Sequence, residues 1–484
     1  MEVSSRGSLD LPIVVDLDGS LIKTDTLHEL LIRLLHRSPL IILALFFWLL
    51  YGKARFKLEV AKRVSLNPST LPYNQELLKW LVDQKSLGRK VILCTAADQS
   101  VALSIANYLG VFDSVIASDG KININGVNKR LALQKILGGQ QYDYAGNSAS
   151  DMGVWRGARK IIVVNARKAV LKGAQKIAEV DKVIPRAPRM RVHWRQVFRI
   201  HQWIKNLLLF VPLLAAHQID SLPQLQKLLL AFISFSTCAS AVYIINDLLD
   251  LESDRQHPRK CHRPFASGAV PIAYGFFGAP FLLAVSFILA LAVNQAFFMS
   301  LLVYFFLTIV YSMRLKRFAL IDCLALCILY TCRIVSGSIA SEVTLSFWLL
   351  AFSIFIFLSL ALVKRYSELQ LQASQGNSIA NGRGYYVSDA PLIQTLGVTS
   401  GYAAVLILAL YVNSESVVSL YTQPQIIWFA IPLMLFWISW VWMIAHRNMM
   451  NDDPIIFAIK DKTSRFVAFL LVVIFGIASK WNIN

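Results

Sequence analysis

Apolar positions along the chain follow two patterns, and the change between them lies near residue 190. Before it, the short apolar runs PIVVDLDG, KVILCTAAD and KIIVVNA each end in polar or small residues, with helical patterns between them. Short buried runs that alternate with helices are typical of a parallel sheet covered by helices. We therefore expect residues 1–185 to form an α/β domain.

Beyond that point the chain consists mostly of long apolar segments, each near the length that crosses a bilayer. They predict an all-α polytopic membrane bundle of about nine helices in residues 201–484, the first of them short. The strongly basic residues 186–200 are expected to form a juxtamembrane linker against anionic headgroups. The predicted segments are 204–217, 228–245, 271–293, 295–311, 319–340, 345–363, 394–412, 425–445 and 465–481.

One apolar run in the first half, PLIILALFFWLLYG (39–52), needs a different explanation. It is too short to span comfortably, and a span there would separate Asp16 from Thr95, which we assign to one site below. We interpret it as an interfacial helix that dips into the membrane surface. It would belong to a small cap at about 28–65.

Composition agrees with a membrane protein. Of the 484 residues 56% are hydrophobic and 16% are charged, against roughly 25% charged in soluble domains, and the mean hydropathy is +0.53. The formal charge of +19 would also suit a nucleic acid partner. With this hydropathy we expect a membrane surface and no nucleic acid.

Lysine and arginine are concentrated in alternate loops of the apolar half. The loops near 218–226, 294, 341–344 and 413–424 contain neither residue. By the positive-inside rule the basic loops, and the N-terminal domain with them, face the cytoplasm of an inner membrane. The basic residues of these loops are Arg255, Arg259, Lys260, Arg263, Arg314, Lys316, Arg317, Lys364, Arg365, Arg383, Arg447, Lys460 and Lys462.

A cluster of acids, NDLLDLESD (246–254), follows an apolar segment in a chain with only 29 Asp+Glu. If 242–254 is helical, Asp247, Asp250 and Asp254 share one face and Asn246 flanks it. Crowded carboxylates become favourable around a cation, and Mg²⁺ takes oxygen ligands together with substrate phosphates. The cluster predicts a Mg²⁺–diphosphate site with these aspartates as catalytic residues. The alternative is an ordinary solvated helix end.

NDLLDLESD followed by HRPFASG resembles the UbiA superfamily of intramembrane prenyltransferases, over roughly 190–484. The resemblance implies a nine-helix bundle in which Asn246, Asp247, Asp250 and Asp254 hold Mg²⁺ and a diphosphate. The second Asp-rich motif usual in the aromatic prenyltransferases is missing beyond the fourth segment, where Asp322 stands alone.

Three other stretches, FRIHQWIKNLLLF, VKRYSELQ and NDDPIIFAIKDKTSR, resemble the branch typified by decaprenyl-phosphate phosphoribosyltransferase. That resemblance implies transfer of phosphoribosyl from phosphoribosyl diphosphate (PRPP) to a polyprenyl phosphate, with release of pyrophosphate. Cations would hold the phosphates, and other polar groups would orient the sugar or a second metal. The candidates for binding phosphate are Lys205, Arg263, Lys316, Lys364 and Arg365. The candidates for orienting the sugar or a second metal are Tyr366, Glu368, Asp453 and Asp461.

The N-terminal stretch VVDLDGSLIKTDTL (14–27) reads as a strand that ends in D-x-D-G-S. Asp16 is placed to attack a phosphoryl group and Asp18 to protonate the leaving oxygen. Thr95 ends another predicted strand and, with Lys129, is suited to binding phosphate. Two carboxylates at one strand end again favour Mg²⁺.

The order of these motifs resembles the haloacid dehalogenase (HAD) superfamily. The resemblance implies that Asp16 is the nucleophile and Asp18 the acid/base, with Thr95 and Lys129 on the phosphate. Asn147 stands where that family often has Asp. A degenerate regulatory domain is the alternative. The implied metal-site residues are Asp16, Asp18 (through its carbonyl), Asn147 and Asp151.

The fusion of two such domains suggests consecutive steps, in which the HAD-like domain removes the 5-phosphate from the lipid product. Two other functions stay open. One is prenyl transfer from a polyprenyl diphosphate to an aromatic acceptor, and the other is transport through a helical bundle. The sequence also leaves open whether the chain forms a homo-oligomer.

Overall fold

The described residues of this computed structural model are 11–38, 41–185, 190–218, 220–376, 384–450 and 453–480. They group into two compact units, Met1–Phe198 with Tyr243–Ala279, and Arg199–Val242 with Pro280–Asn484. The acidic cluster therefore belongs to the same unit as the N-terminal domain. Arg383, residues 186–189 of the predicted linker, and residues 451–452 of the NDDPII stretch lie outside the described residues.

The first unit contains a six-stranded sheet in the order β3-β2-β1-β4-β5-β6, in which all neighbouring strands are parallel. Its central strand is fully buried because helices cover both faces, as is typical of parallel sheets. This confirms the predicted α/β domain. The strands are β1 (Ile13–Val15), β2 (Val91–Asp98), β3 (Ser114–Ser118), β4 (Asp143–Gly146), β5 (Lys160–Val164) and β6 (Glu179–Ile184).

Three helices follow β1 before the next strand: α1 (Thr26–Arg37), α2 (Ile42–Leu50) and α3 (Lys53–Ala61). The apolar run 39–52 supplies α2, whose nine residues are too few to cross a bilayer. Phe46 and Leu50 on α2 are 66% and 69% exposed. Insertion of α2 into a membrane surface stays a prediction. The other helices of this part of the chain are Gln75–Ser86, Gln99–Leu109, Val127–Leu137, Met152–Trp155, Lys168–Gln175 and Met190–Val197.

The segment with the acidic cluster is not one continuous helix. The helix Leu222–Leu249 ends before Asp250, whose backbone adopts φ −93° and ψ 9°, and a short helix, Leu251–Gln256, follows. The prediction of an unbroken helix over 242–254 was therefore wrong at one residue, which sits in the bridge region common at helix ends. The amide of Asp254 still donates to the Asp250 carbonyl at 2.8 Å, so helical spacing continues through the break.

Eight helices within the described residues are long and apolar enough to cross a membrane. The first predicted segment instead forms a 3₁₀ helix, Ile200–Phe210, and a short α-helix, Val211–Ala215. Short helices Glu415–Leu420 and Pro454–Lys460 connect later spans. The helices of spanning length are Leu222–Leu249, Ile272–Val293, Gln295–Met313, Ile321–Ser341, Phe347–Ser374, Val387–Val412, Pro424–His446 and Lys462–Ser479.

Candidate functional site

The first candidate site lies at the carboxyl edge of the sheet, where two neighbouring strands end. Asp16 directly follows β1 and Asn147 directly follows β4, and these strands pair in register. Gly19 approaches Asn147 so closely that a Cβ on Gly19 would lie 2.0 Å from the side-chain nitrogen of Asn147. The φ of Gly19 is +78°. Only glycine fits such a position without strain, which explains the glycine of the D-x-D-G sequence.

Lys129 connects the two carboxylates of this site. Its Nζ lies 2.7 Å from Asp16 Oδ1 and 3.8 Å from Asp151 Oδ1, and all three side chains are buried. Burial raises the pKa of Asp16 to about 6, although Lys129 opposes that shift. Burial alone would lower the pKa of Lys129, but the two carboxylates raise it above its usual value. The lysine therefore stays charged and neutralises one of two negative charges.

Asp151 is held by a hydrogen-bond network of two backbone amides and Tyr144. Its Oδ2 accepts from the backbone amides of Asn147 (3.1 Å) and Ser148 (3.0 Å), and Tyr144 Oη donates to its Oδ1 at 2.9 Å. Lys129 Nζ also donates to Tyr144 Oη at 2.9 Å. Tyr144 was missed because the buried aromatic positions of β4 read as core. It fixes both the Asp151 carboxylate and the Lys129 ammonium group in place.

Asp18 and Thr95 face different surroundings. Asp18 accepts hydrogen bonds from the backbone amide (2.8 Å) and the hydroxyl (3.3 Å) of Thr26 at the start of α1. Burial, together with the charge of Asp25, raises the pKa of Asp18 to about 8. Thr95 is fully buried and its Oγ1 accepts from the amide of Ala97 at 3.0 Å.

A small cavity opens beside Asp18. Lys57 of α3 reaches toward it and donates to the Ala96 carbonyl at 2.6 Å. Burial lowers the pKa of Lys57, although Asp18 and Asp25 oppose the shift. The cavity is thus lined by both polar and apolar side chains. Its lining residues are Asp18, Asp25, Thr26, Leu27, Leu30, Lys57, Ala97, Asp98 and Val101.

The acidic cluster forms the second candidate site. Asp247 and Asp254 are 4% and 1% exposed, and both accept from one guanidinium nitrogen of Arg263, at 3.1 and 2.6 Å. Asp254 Oδ1 is buried without a hydrogen bond, with Lys260 Nζ 4.0 Å away. Asp250 and Asn246 are half-buried beside them.

The carboxylates of both sites suit Mg²⁺. Within the described ranges no group of three or more His, Cys, Asp or Glu side chains converges as a ready-made metal cage. Each site does bring two buried carboxylates around one positive charge, Asp16 and Asp151 at Lys129, and Asp247 and Asp254 at Arg263. Mg²⁺ is usually held by one or two carboxylates plus substrate phosphates, so these donor sets fit it.

The second unit contains a third cluster, around Asp453. Asp453 Oδ2 accepts from Lys205 at 2.8 Å and from Lys364 at 3.2 Å, and Tyr330 Oη lies 3.4 Å from both carboxylate oxygens. Burial alone would raise the pKa of Asp453, but the two lysines hold it well below its usual range. Two cations around one carboxylate leave a net positive charge that favours an anion.

Arg333 extends this cluster and was not among the sequence candidates. Its guanidinium is 5.7 Å from the Tyr330 ring and donates to Asn206 Oδ1 (3.0 Å), Tyr304 Oη (2.8 Å) and the Leu329 carbonyl (2.6 Å). All of these partners are neutral. An arginine within an apolar segment such as 319–340 is itself a signal of function, and it could have been noticed in the sequence.

The other predicted residues are engaged elsewhere in the second unit. Arg365 pairs with Asp322 and Glu368. Asp322 also accepts from Tyr385. One cation therefore faces two carboxylates, of which Asp322 is buried and Glu368 is 39% exposed.

Three more candidates have structural partners or positions of their own. Tyr366 Oη lies 2.9 Å from His446 Nδ1. Asp461 accepts from the amide of Ser464 at 2.7 Å and caps the helix that begins at Lys462. Lys316 is half-buried in the short 3₁₀ turn between two spans.

Residues 207–470 match the sequence model of the UbiA prenyltransferase family. An uncharacterized protein of Sinorhizobium fredii, y4nM, is 37% identical over 470 residues, covering 97% of this chain and 91% of its own. Decaprenyl-phosphate phosphoribosyltransferase of Mycobacterium tuberculosis is 29% identical over 288 residues, covering 58% and 93%. A solved UbiA homolog from Archaeoglobus fulgidus, bound to GPP and Mg²⁺, shares 18% identity over 58% of this chain and 99% of its own, with a TM-score of 0.45.

Proposed function

Because this chain belongs to the UbiA prenyltransferase family, we propose that it transfers the 5-phosphoribosyl group of PRPP to a polyprenyl phosphate and releases pyrophosphate. The observation that carries this proposal is the similarity to decaprenyl-phosphate phosphoribosyltransferase along 288 residues. It agrees with the cation-rich cluster around Asp453, because both substrates carry phosphate.

The main contribution that the proposed reaction requires from the protein is neutralisation of charge. An oxygen of the lipid phosphate attacks C1 of the ribose, and the bond from C1 to the diphosphate oxygen breaks. The lipid phosphate is already anionic, so no strong base is required. Mg²⁺ at Asp247 and Asp254, with Asp250 and Asn246 beside them, would neutralise the charge that develops on the leaving diphosphate.

Cationic side chains in each unit are proposed to bind phosphate groups. Lys205 is buried and Lys364 is 29% exposed, and both approach the single carboxylate of Asp453, so an incoming phosphate would meet an excess of positive charge there. Arg263, which bridges Asp247 and Asp254, is the cation of the acidic cluster and is suited to contact the diphosphate.

For the N-terminal domain we propose a phosphatase that removes the 5-phosphate from the lipid product. An oxygen of Asp16 would attack the phosphorus, the sugar hydroxyl would leave with a proton from Asp18, and water would then release inorganic phosphate from Asp16. Lys129 supports this role because it holds Asp16 in a buried ion pair. The active sites of both domains are proposed to face the cytoplasm.

Mass spectrometry of the lipid tests both activities. The purified protein would be incubated in detergent with Mg²⁺, PRPP and a polyprenyl phosphate. We expect a lipid that gains ribose, and a lipid that retains the 5-phosphate when the protein carries Asp16→Asn. An unchanged lipid with intact PRPP would contradict the transferase. The proposed phosphatase fails if the wild-type product keeps its 5-phosphate.

A further inference from the structure

The acidic cluster is attached to the α/β domain by a buried ion pair within the first unit. Arg255, the residue after Asp254, donates with both terminal nitrogens to Glu29 of α1, at 2.6 and 3.2 Å. The two side chains are 6% and 3% exposed. Paired, forked hydrogen bonds of this kind fix orientation as well as distance.

Further contacts make this attachment specific. The remaining guanidinium nitrogen, Arg255 Nε, donates to the Ala266 carbonyl at 3.0 Å, so the same side chain also holds the loop that carries Arg263. Gly268 has φ +72° and a Cβ there would lie 2.7 Å from Lys23 Cβ. The loop therefore packs directly on the chain just before α1, and a larger residue would not fit.

One turn of α1 connects this contact to the other candidate site. Thr26, at the first position of α1, binds the Asp18 carboxylate through its amide and hydroxyl. Glu29 lies three residues later on the same helix, about 5 Å along its axis. The N-terminal aspartate site and the acidic cluster are thus joined through Asp18, Thr26, Glu29, Arg255 and Asp254.

Arg33 and Glu252 provide a natural comparison. They form a second ion pair between α1 and the acidic segment, at 3.0 Å, but their side chains are 23% and 43% exposed. Exposed pairs contribute little, whereas a buried charge that loses its partner is strongly unfavourable. Glu29, and not Arg33, should therefore control the position of the segment.

We propose that Glu29 is a positioning residue for the transferase: through Arg255, the α/β domain sets the orientation of Asp254 and of the loop that carries Arg263. This inference rests on the proposed transferase function. It also implies that the N-terminal domain is required for full transferase activity, independently of any phosphatase step. The effect is indirect, because Glu29 itself would touch no substrate.

The test uses the full-length protein with Glu29→Ala, Glu29→Gln and the control Arg33→Gln. Glu29→Ala should lower kcat for phosphoribosyl transfer about 10- to 100-fold, as loss of a group that orients metal ligands usually does, and should raise the Mg²⁺ concentration required. Glu29→Gln, which keeps an acceptor for Arg255, should lose less. Arg33→Gln should resemble the wild type.

Limited trypsin digestion provides a readout that does not depend on activity. The bonds after Arg259 and Lys260 lie in the exposed part of the loop, and Glu29→Ala should accelerate their cleavage, while Arg33→Gln should not. Equal cleavage of Glu29→Ala and wild type would overturn the proposal, even if no phosphoribosyl transfer were found. Faster cleavage with unchanged transfer kinetics would also overturn it, since the contact would then be structural only.

Discussion

Lys129 Nζ lies 2.7 Å from Asp16 Oδ1 in a buried ion pair, and the same nitrogen is 3.8 Å from Asp151. One cation therefore holds two carboxylates, one directly after β1 and the other in the 3₁₀ turn that follows β4. The arrangement agrees with the phosphoryl transfer proposed for this domain, because the cation limits the repulsion between the two acids.

Replacing Lys129 by methionine should damage both stability and chemistry. The change leaves Asp16 and Asp151 buried without a cation, so we expect a loss on the order of 3 kcal/mol in the free energy of unfolding of the α/β domain. Hydrolysis of a simple phosphate monoester should fall about 100-fold or more. Lys135→Met, at an exposed position of the same helix, should change neither. Unaltered hydrolysis by Lys129→Met would contradict the assigned role.

Neutralising Asp254 should abolish transfer while the protein remains folded. Asp254→Asn removes a carboxylate from the pair that surrounds Arg263, and we expect at least about a 100-fold loss in transfer rate. Chelation of divalent cations should have the same effect on the wild type and be reversed by Mg²⁺. Ser253→Ala changes an exposed neighbour and should have little effect. Transfer that continues in excess chelator would rule out the metal site.

The lysines around Asp453 should control substrate affinity. Lys205→Met or Lys364→Met leaves Asp453 with a single cationic partner and removes the excess positive charge. We expect KM for a phosphate-bearing substrate to rise about tenfold or more, which corresponds to roughly 1.4 kcal/mol. Lys227→Met, whose pair with Glu342 is exposed, is the matched control. Equal KM values for Lys205→Met and Lys227→Met would argue against an anion site here.

The stability contributed by His28 should depend on pH. A hydrogen bond to Asp25 raises the pKa of His28, against the smaller effect of partial burial. The contribution is therefore fully present below about pH 6.5, the usual histidine pKa, and is lost as pH rises through the higher folded value. Thermal unfolding should show His28→Gln to be less stable than wild type at pH 6, with a smaller difference at pH 9.

The matched variant for this measurement is His36→Gln, which lies at an exposed position near the end of the same helix. Its difference from wild type should be similar at both pH values. A His28→Gln difference that grows with pH would have the wrong sign and would contradict the pairing with Asp25.

Much of the architecture was determined by local pattern. Short apolar runs between helical stretches predicted the strands β1, β2 and β5, and long apolar segments predicted the membrane helices, because burial on both faces or contact with lipid demands such sequences. Local pattern failed at the break at Asp250 and in the first apolar segment. Both depend on how the chain packs and not on hydrophobicity.

For the candidate sites, too, the sequence predicted some features and only the tertiary structure revealed the others. The order of the motifs suggested Asp16, Lys129 and Asp151 as candidates. The tertiary structure then placed Lys129 within hydrogen-bonding distance of Asp16 and Tyr144, and Tyr144 within hydrogen-bonding distance of Asp151. The neutral partners of Arg333 and the pairing of Arg365 with Asp322 were decided only by the fold.

Glu29 and Arg255 show most directly what local sequence cannot predict, because they lie 226 positions apart in the chain and form one buried ion pair. The sequence by itself determined which residue types stand at strand ends and in loops, since those preferences act over a few residues. Which charges pair with each other was decided by the tertiary structure. Burial and distance set the energy of a charge pair, and neither is encoded at a single position.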